Sequence, residues 1–277
     1  MRELQLPDGD RLPVLGQGTW GMGERRAQRA AEVAALRHGM DRGLQLIDTA
    51  EMYGSGGAEE VVGEAIRGRR DDAFLVSKVL PSNAGRRATI RACEESLRRL
   101  DTDRLDLYLL HWRGGTPLAE TLDAFAELQD SGKVRHFGVS NFAPDDMAEL
   151  FEHELGRRSA TDQVLYNLTR RGIELDLLPW CQQRDLPVMA YSPIEQGRLL
   201  DQPVLQQIAE RHAATSAQIA LAWVLAREGV CAIPKAATTA HIDQNLQVLD
   251  LQLSEHDLGE LERAFPAPNR PVPLEIL

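Results

Sequence analysis

The sequence predicts an α/β protein of the (β/α)8 TIM-barrel class, with an N-terminal β-hairpin in front and extra helices at the C-terminal end. Three observations support this. Short apolar runs alternate with helical patterns from end to end, eight strand–helix units can be counted, and no linker or low-complexity stretch interrupts them. Barrels of about 250 residues routinely form one domain, so the 277 residues are expected to form a single domain, 1–277. A doubly wound sheet is the competing architecture.

The elements follow in order. Leu4, Leu6 and Leu12 flank the turn sequence Pro7-Asp8-Gly9-Asp10, which predicts the hairpin. Strands are expected at 13–18, 44–48, 74–78, 105–111, 137–140, 161–166, 187–191 and 230–234, each a short apolar run too brief for a helix. Between them, apolar residues recur at helical spacing over 27–42, 58–67, 88–100, 118–131, 145–153, 174–184, 203–212 and 216–227. Gly132 stops one helix and Pro144 opens the next. Helices at 239–247 and 254–265 precede a proline-rich tail.

Composition narrows the function. Apolar residues make up 43% and charged residues 26%, as in a globular protein. A formal net charge of -11 opposes nucleic-acid binding, which needs a basic face. Cys93, Cys181 and Cys231 form no paired motif, which suits a reducing compartment. With no signal-like N-terminus and no run of about 18 apolar residues, a cytoplasmic location with no membrane partner is expected. The histidines include no His-Glu-x-x-His pattern, so no metal site is expected. No free interface stands out, and a monomer is expected.

Barrel chemistry collects at the C-terminal ends of the strands. Those ends hold Asp48, with Tyr53 just beyond, then Ser77-Lys78, His111-Trp112, Ser140-Asn141, Gln163, Tyr191-Ser192 and Pro234-Lys235. The run Phe74-Leu-Val carries Lys78 to the mouth, where an unpaired ammonium is costly and Asp48 is its natural partner. A nearby cation stabilises the phenolate of Tyr53 and makes this phenol, of ordinary pKa about 10, a usable acid. His111 can then orient or polarise a carbonyl oxygen. Glu51 lies between Asp48 and Tyr53 and reads as a bystander.

Asp48, Tyr53, Lys78 and His111, in this order and spacing, resemble the catalytic tetrad of the aldo-keto reductase family. The resemblance runs through residues 43–63, Leu107-Tyr-Leu-Leu-His111, Gly138-Val-Ser-Asn141, Tyr191-Ser-Pro193 and Ile233-Pro-Lys235. Gly16-Gln-Gly-Thr-Trp20, Asp48-Thr-Ala-Glu-Met-Tyr53 and Leu178-Pro-Trp-Cys-Gln182 look most like a bacterial methylglyoxal-reducing subgroup. The resemblance implies NADPH-dependent reduction of small aldehydes or ketoaldehydes, with Tyr53 as general acid tuned by Lys78 and Asp48. It implies that His111, Trp20 and Trp112 face the substrate together with Tyr53. It also implies cofactor contacts from Thr19, Trp20, Asp48, Ser140, Asn141, Gln163, Tyr191, Ser192, Ile194, Gln196, Lys235, Thr238, His241, Gln244 and Asn245. Ser140, Asn141 and Gln163 match the positions that bind the carboxamide, and Tyr191 the one that stacks on the nicotinamide.

The adenine end departs from the family pattern. His241 stands where an arginine is usual, Gln244 where a glutamate is, and Ala236 where a serine is common. Histidine lacks the bidentate, permanent charge of arginine, which leaves NADH possible although Lys235 favours NADPH. Short segments after strands four and seven and after Phe265 imply an open pocket for small aldehydes. Gly16-x-Gly18-x-x-Gly21 spells a dinucleotide fingerprint, but the next helix starts too late for one, and a tight first loop is expected instead. Two other readings stand beside the reductase. One is a cofactor-binding regulatory subunit on the same fold. The other is a Schiff-base lyase using Lys78, which pairing with Asp48 disfavours by keeping the lysine protonated.

Overall fold

A computed structural model describes residues 2–277. The hairpin pairs β1 (Glu3–Gln5) with β2 (Arg11–Pro13), Leu4 opposite Leu12. Eight parallel strands follow in sequence order within one sheet. They are β3 (Gly16–Gly18), β4 (Leu46–Asp48), β5 (Phe74–Val79), β6 (Leu105–Leu110), β7 (Val134–Ser140), β8 (Asp162–Leu165), β9 (Val188–Tyr191) and β10 (Val230–Ala232). Where β10 meets β3 the ring closes: Ala232 N donates to Val14 O at 2.9 Å and Gly18 N to Pro234 O at 3.1 Å. The (β/α)8 barrel is therefore formed, and no doubly wound sheet.

Helices α1 (Arg29–Asp41), α2 (Gly57–Ile66), α3 (Arg86–Leu100), α4 (Leu118–Asp130), α5 (Pro144–Glu152) and α6 (Leu177–Gln182) follow β3 to β8 in turn. After β9 come α7 (Pro203–Arg211) and α8 (Ser216–Leu225), and after β10 come α9 (Thr239–Gln247) and α10 (Glu255–Ala264). Several expected elements differ in extent: the strand expected at 13–18 is only β3, with Pro13 in β2, and those at 44–48 and 230–234 are likewise shorter. β7 begins at Val134, ahead of the expected start, because the polar Arg135 and His136 hide a strand that pairs with β6 through Leu107↔His136. The helix expected over 174–184 shrinks to α6, because Asp176 leaves helical geometry (φ -140°) and caps it, Oδ1 accepting from Leu177 N at 2.6 Å.

Strand side chains alternate between two apolar clusters, as a period of two requires. Leu46, Val76, Leu107, Leu109, Met189 and Cys231 fill the barrel interior, and Leu6 and Leu12 of the hairpin join them as a plug at its floor. Ile47, Leu75, Tyr108, Leu110, Val139, Val164 and Ala190 belong to the larger cluster under the helices. Two residues beyond an interior side chain, on the same face of its strand, stand Asp48 (after Leu46), Lys78 (after Val76), His111 (after Leu109) and Tyr191 (after Met189). The fold thus delivers these side chains to the barrel mouth.

The glycines of the apparent fingerprint serve packing. A Cβ on Gly18 would lie 2.6 Å from Ile233 O, where β3 closes on β10, and one on Gly16 would lie 2.6 Å from Leu46. Gly21, at φ +77°, lets the first loop turn. Helix α1 starts only at Arg29, far from any place where it could cradle a pyrophosphate beside these glycines.

Candidate active site

At the barrel mouth a fully buried Lys78 is surrounded by oxygen. Its Nζ donates to Asp48 Oδ2 at 2.7 Å, to Thr49 O at 2.9 Å and to Tyr53 Oη at 3.0 Å. Three acceptors match the three ammonium hydrogens, so the charge is fully satisfied without water. Burial works against the charged form, but Asp48 and then Tyr53 outweigh it and hold the Lys78 ammonium above its ordinary range. The other Asp48 oxygen, Oδ1, accepts from Gln163 Nε2 at 2.7 Å. Sequence spacing revealed neither the Thr49 carbonyl nor this Gln163 link.

Tyr53 opens a short 3-10 turn, Tyr53–Gly56, between β4 and α2. Its ring is buried against Trp20 (centroids 5.0 Å apart, edge-on) and against His111 (5.7 Å). Here the expectation from sequence needs correcting. Burial raises the Tyr53 pKa, Lys78 lowers it, and the net direction in the empty cleft is upward. The lysine therefore limits a desolvation effect and does not bring the phenol toward neutrality; the hydroxyl keeps its proton at neutral pH.

His111 follows β6 and is buried, its ring tilted against Trp112 at 5.1 Å. Burial, aided by the positive charge of Lys78, lowers its pKa from 6.5 to about 3, so the imidazole is neutral. The buried Nδ1 has no hydrogen-bond partner. Orphaned buried N–H groups are rarer than orphaned acceptors, which assigns the bare lone pair to Nδ1 and the proton to Nε2. With the two rings 5.7 Å apart, a neutral Nε2–H and the Tyr53 hydroxyl are two candidate donors for one substrate oxygen.

The ends of β7 and β9 form a second group. Asn141 takes φ +56°, placing its Nδ2 on His111 O at 3.0 Å and its Oδ1 on the Tyr191 hydroxyl, which donates at 2.9 Å. Ser140 Oγ donates to Gln163 O at 2.7 Å. Asp162, fully buried, supports the turn by accepting from Phe142 N. After β9, Ser192, Glu195 and Gln196 all have positive φ (47°, 49° and 54°), a concentration of left-handed non-glycine residues that marks a shaped loop. Buried Glu195 holds that loop, taking Asn167 Nδ2 at 2.8 Å, Arg170 at 3.0 Å and Arg198 at 2.7 Å. Ile194 is half-buried within it.

Thr19 is buried, its hydroxyl and main-chain N both donating to Asp48 O, whereas Trp20 is 53% exposed at the cleft rim. Lys235, on the segment after β10 where it bridges Gly18, is exposed, as are Thr238 and His241 at the start of α9, with Gln244 and Asn245 one turn further on. Thr238 caps this helix, accepting from His241 N at 3.3 Å. Glu51 is no bystander structurally. Its Oε1 accepts from Leu80 N at 2.7 Å and Asn83 Nδ2 at 3.0 Å, which ties the Tyr53 loop to the segment after β5.

A phenol that keeps its proton beside a permanently charged ammonium is suited to exchanging that proton with an oxygen whose charge changes. Such a pair suits an oxidoreductase working between carbonyls and alcohols. The comparisons agree: the chain belongs to the aldo/keto reductase family, whose model matches residues 14–265. It is 56% identical to methylglyoxal reductase YeaE of Escherichia coli (strain K12), over 99% of this chain and 98% of the relative. A glyoxal reductase of Bacillus subtilis (strain 168) is 34% identical over 96% of both chains. Among solved structures, an aldo/keto reductase from Klebsiella pneumoniae in complex with NADP and acetate superposes with a TM-score of 0.97, at 53% identity and 99% coverage of both chains.

Proposed function

We propose that this chain reduces methylglyoxal and similar small aldehydes or ketoaldehydes to alcohols with NADPH, and that Tyr53 supplies the proton. The observation that carries the proposal is the buried chain Asp48–Lys78–Tyr53 next to a neutral His111. The nicotinamide, when bound, supplies the hydride. His111 Nε2–H and the Tyr53 hydroxyl hold the carbonyl oxygen, and Tyr53 gives up its proton as negative charge grows there. Lys78 then stabilises the phenolate across the 3.0 Å contact, and Asp48 keeps the lysine charged.

The residues present fit the cofactor. The first turn of α9 offers main-chain N–H groups that no helix satisfies internally, next to exposed Lys235, which makes a ready site for the 2′-phosphate. His241, Gln244 and Asn245 on the same helix serve the adenosine end. Tyr191, fixed by Asn141, offers its ring face to the nicotinamide, and Ser140, Asn141 and Gln163 serve the carboxamide. Ser192, Ile194 and Gln196 of the loop after β9 serve the pyrophosphate, and exposed Trp20 remains open to the cofactor; Thr19, fully buried with both donors on Asp48 O, supports the site from behind. Trp20, Tyr53, His111 and Trp112 wall the substrate, an aromatic lining suited to a small, partly apolar ligand. We infer a single-domain monomer in the cytoplasm without nucleic-acid partners, a reading that rests on the net charge of -11 and the three unpaired cysteines. Among the described residues no helix is long and apolar enough to cross a membrane.

The test is Tyr53→Phe, assayed by loss of reduced-nicotinamide absorbance with methylglyoxal. Removing one hydroxyl leaves Lys78 two of its three acceptors, so the fold persists. A general acid contributes about 10²–10⁴-fold, and kcat is expected to fall by that factor while NADPH still quenches tryptophan fluorescence. Tight NADPH binding with no turnover of any small aldehyde by the wild type would favour the regulatory-subunit reading instead.

A further inference from the structure

At the floor of the barrel, away from the cleft, the hairpin turn meets β7. Leu6 N donates to Asp10 O at 2.8 Å, Gly9 N to Leu6 O at 2.9 Å and Asp10 N to Asp8 Oδ1 at 3.1 Å, which fixes the turn. Facing it from β7 is His136, whose side chain is 4% exposed and whose ring stacks on Phe74 at 6.5 Å and 9°. Nδ1 lies 2.9 Å from Asp8 Oδ2, and Nε2 lies 2.9 Å from Asp10 Oδ2. Buried Nε2 nevertheless makes no hydrogen bond. Its close carboxylate oxygen sits at the right distance but off the line along which a ring nitrogen donates or accepts, and alignment decides a hydrogen bond.

Two ligands of one metal ion would stand in the same relation, close but not hydrogen-bonded. With nitrogen and oxygen each about 2.0–2.2 Å from a cation, at angles between 90° and tetrahedral, they stand about 2.9–3.5 Å apart and the lone pair points between them. Asp8, Asp10 and His136 each offer a ligand atom, all within 4.8 Å of one another. We propose that these three residues bind a divalent transition cation of the imidazole-and-carboxylate class, zinc or cobalt being typical. His136 Nε2 and Asp10 make the first two bonds. Asp8, whose side chain is 54% exposed, swings from Nδ1 to complete three, and water takes the remaining position. Arg135, 2.6 Å from Asp10 Oδ2, competes for that carboxylate, but at 58% exposure it is free to turn outward. The ion pins the plug hairpin to the strand whose other end carries Ser140, and takes no part in the carbonyl chemistry.

Tag-free, full-length protein stripped with a chelator is titrated with Co²⁺ by absorbance and with Zn²⁺ against a chromophoric chelator. One equivalent per chain is expected, with a rise of several degrees in Tm. His136→Gln and Asp8→Asn should each weaken binding at least tenfold; Asp8 sits on an exposed turn, so its variant folds even if the histidine variant does not. His256→Ala, in the acidic cluster on α10, should leave binding unchanged. The proposal is overturned if the wild type and Asp8→Asn bind Co²⁺ equally. It is also overturned if the wild type binds neither Co²⁺ nor Zn²⁺; a proton on both His136 nitrogens by NMR would then identify the site as an imidazolium clamped by two carboxylates.

Discussion

Replacing His111 by glutamine tests whether the cleft holds a neutral imidazole, and the expected size follows from burial. The folded chain protonates His111 only at about 3, against an ordinary 6.5. Between these values the unfolded chain binds the extra proton, so lowering the pH favours unfolding. The stability from this residue is complete above pH 6.5 and is lost as pH falls toward 3. At about 1.4 kcal/mol per pH unit, a drop to pH 4.5 removes roughly 3 kcal/mol, and complete protonation roughly 5 kcal/mol. Glutamine has no such loss. Urea unfolding followed by circular dichroism, on both proteins at pH 7 and pH 4.5, gives a double difference in which carboxylates common to both cancel. The wild type should lose roughly 3 kcal/mol more than the variant. A double difference below about 1 kcal/mol would mean that the ring is hydrated or already charged, and would refute the assignment of Nε2–H as a neutral donor.

Three further outcomes are expected. Asp48→Asn leaves the buried Lys78 ammonium without its counter-charge and should cost about 3–5 kcal/mol in urea unfolding, while Asp48→Asn combined with Lys78→Met should recover much of that loss and remain inactive. Lys235→Ala removes a charge-assisted phosphate contact worth about 1.5–3 kcal/mol, so KM for NADPH should rise about 10–100-fold with KM for NADH unmoved. Glu59, fully buried on α2, accepts from Ser77 Oγ at 2.6 Å and Arg99 Nε at 2.5 Å. Glu59→Ala should cost about 3 kcal/mol by the same unfolding assay, the low end for breaking a buried pair, because Arg99 is 25% exposed and regains water.

The barrel was legible in the sequence because its strands are apolar, brief and regularly spaced, and because alternation carries a polar residue to each strand end. Elements blurred where that logic breaks. The first half of β7 carries Arg135 and His136 just after Val134, and their polarity is explained only by the hairpin carboxylates facing them, far away in sequence. Asp48, Tyr53, Lys78 and His111 could be gathered from strand ends alone. Their satisfaction could not, since the Thr49 carbonyl and Gln163 reach the group through geometry that no local pattern encodes. The same holds for Glu59 and Glu195, buried braces in the fold that no local pattern singles out. The tuning of Tyr53 misled for a physical reason: proximity to a cation is visible as residue order, whereas desolvation depends on the packed walls, Trp20 among them.

The two-residue step from core to cleft has an evolutionary consequence. Asp48, Lys78, His111 and Tyr191 are anchored by interior neighbours on their own strands, so the reactive centre inherits the rigidity of the barrel. Trp112 and the loop over 192–202 sit just past those anchors and can be lengthened, shortened or exchanged without moving the proton machinery. Substrate range and bond chemistry are thereby separable traits: selection can redraw the entrance while the reaction stays the same.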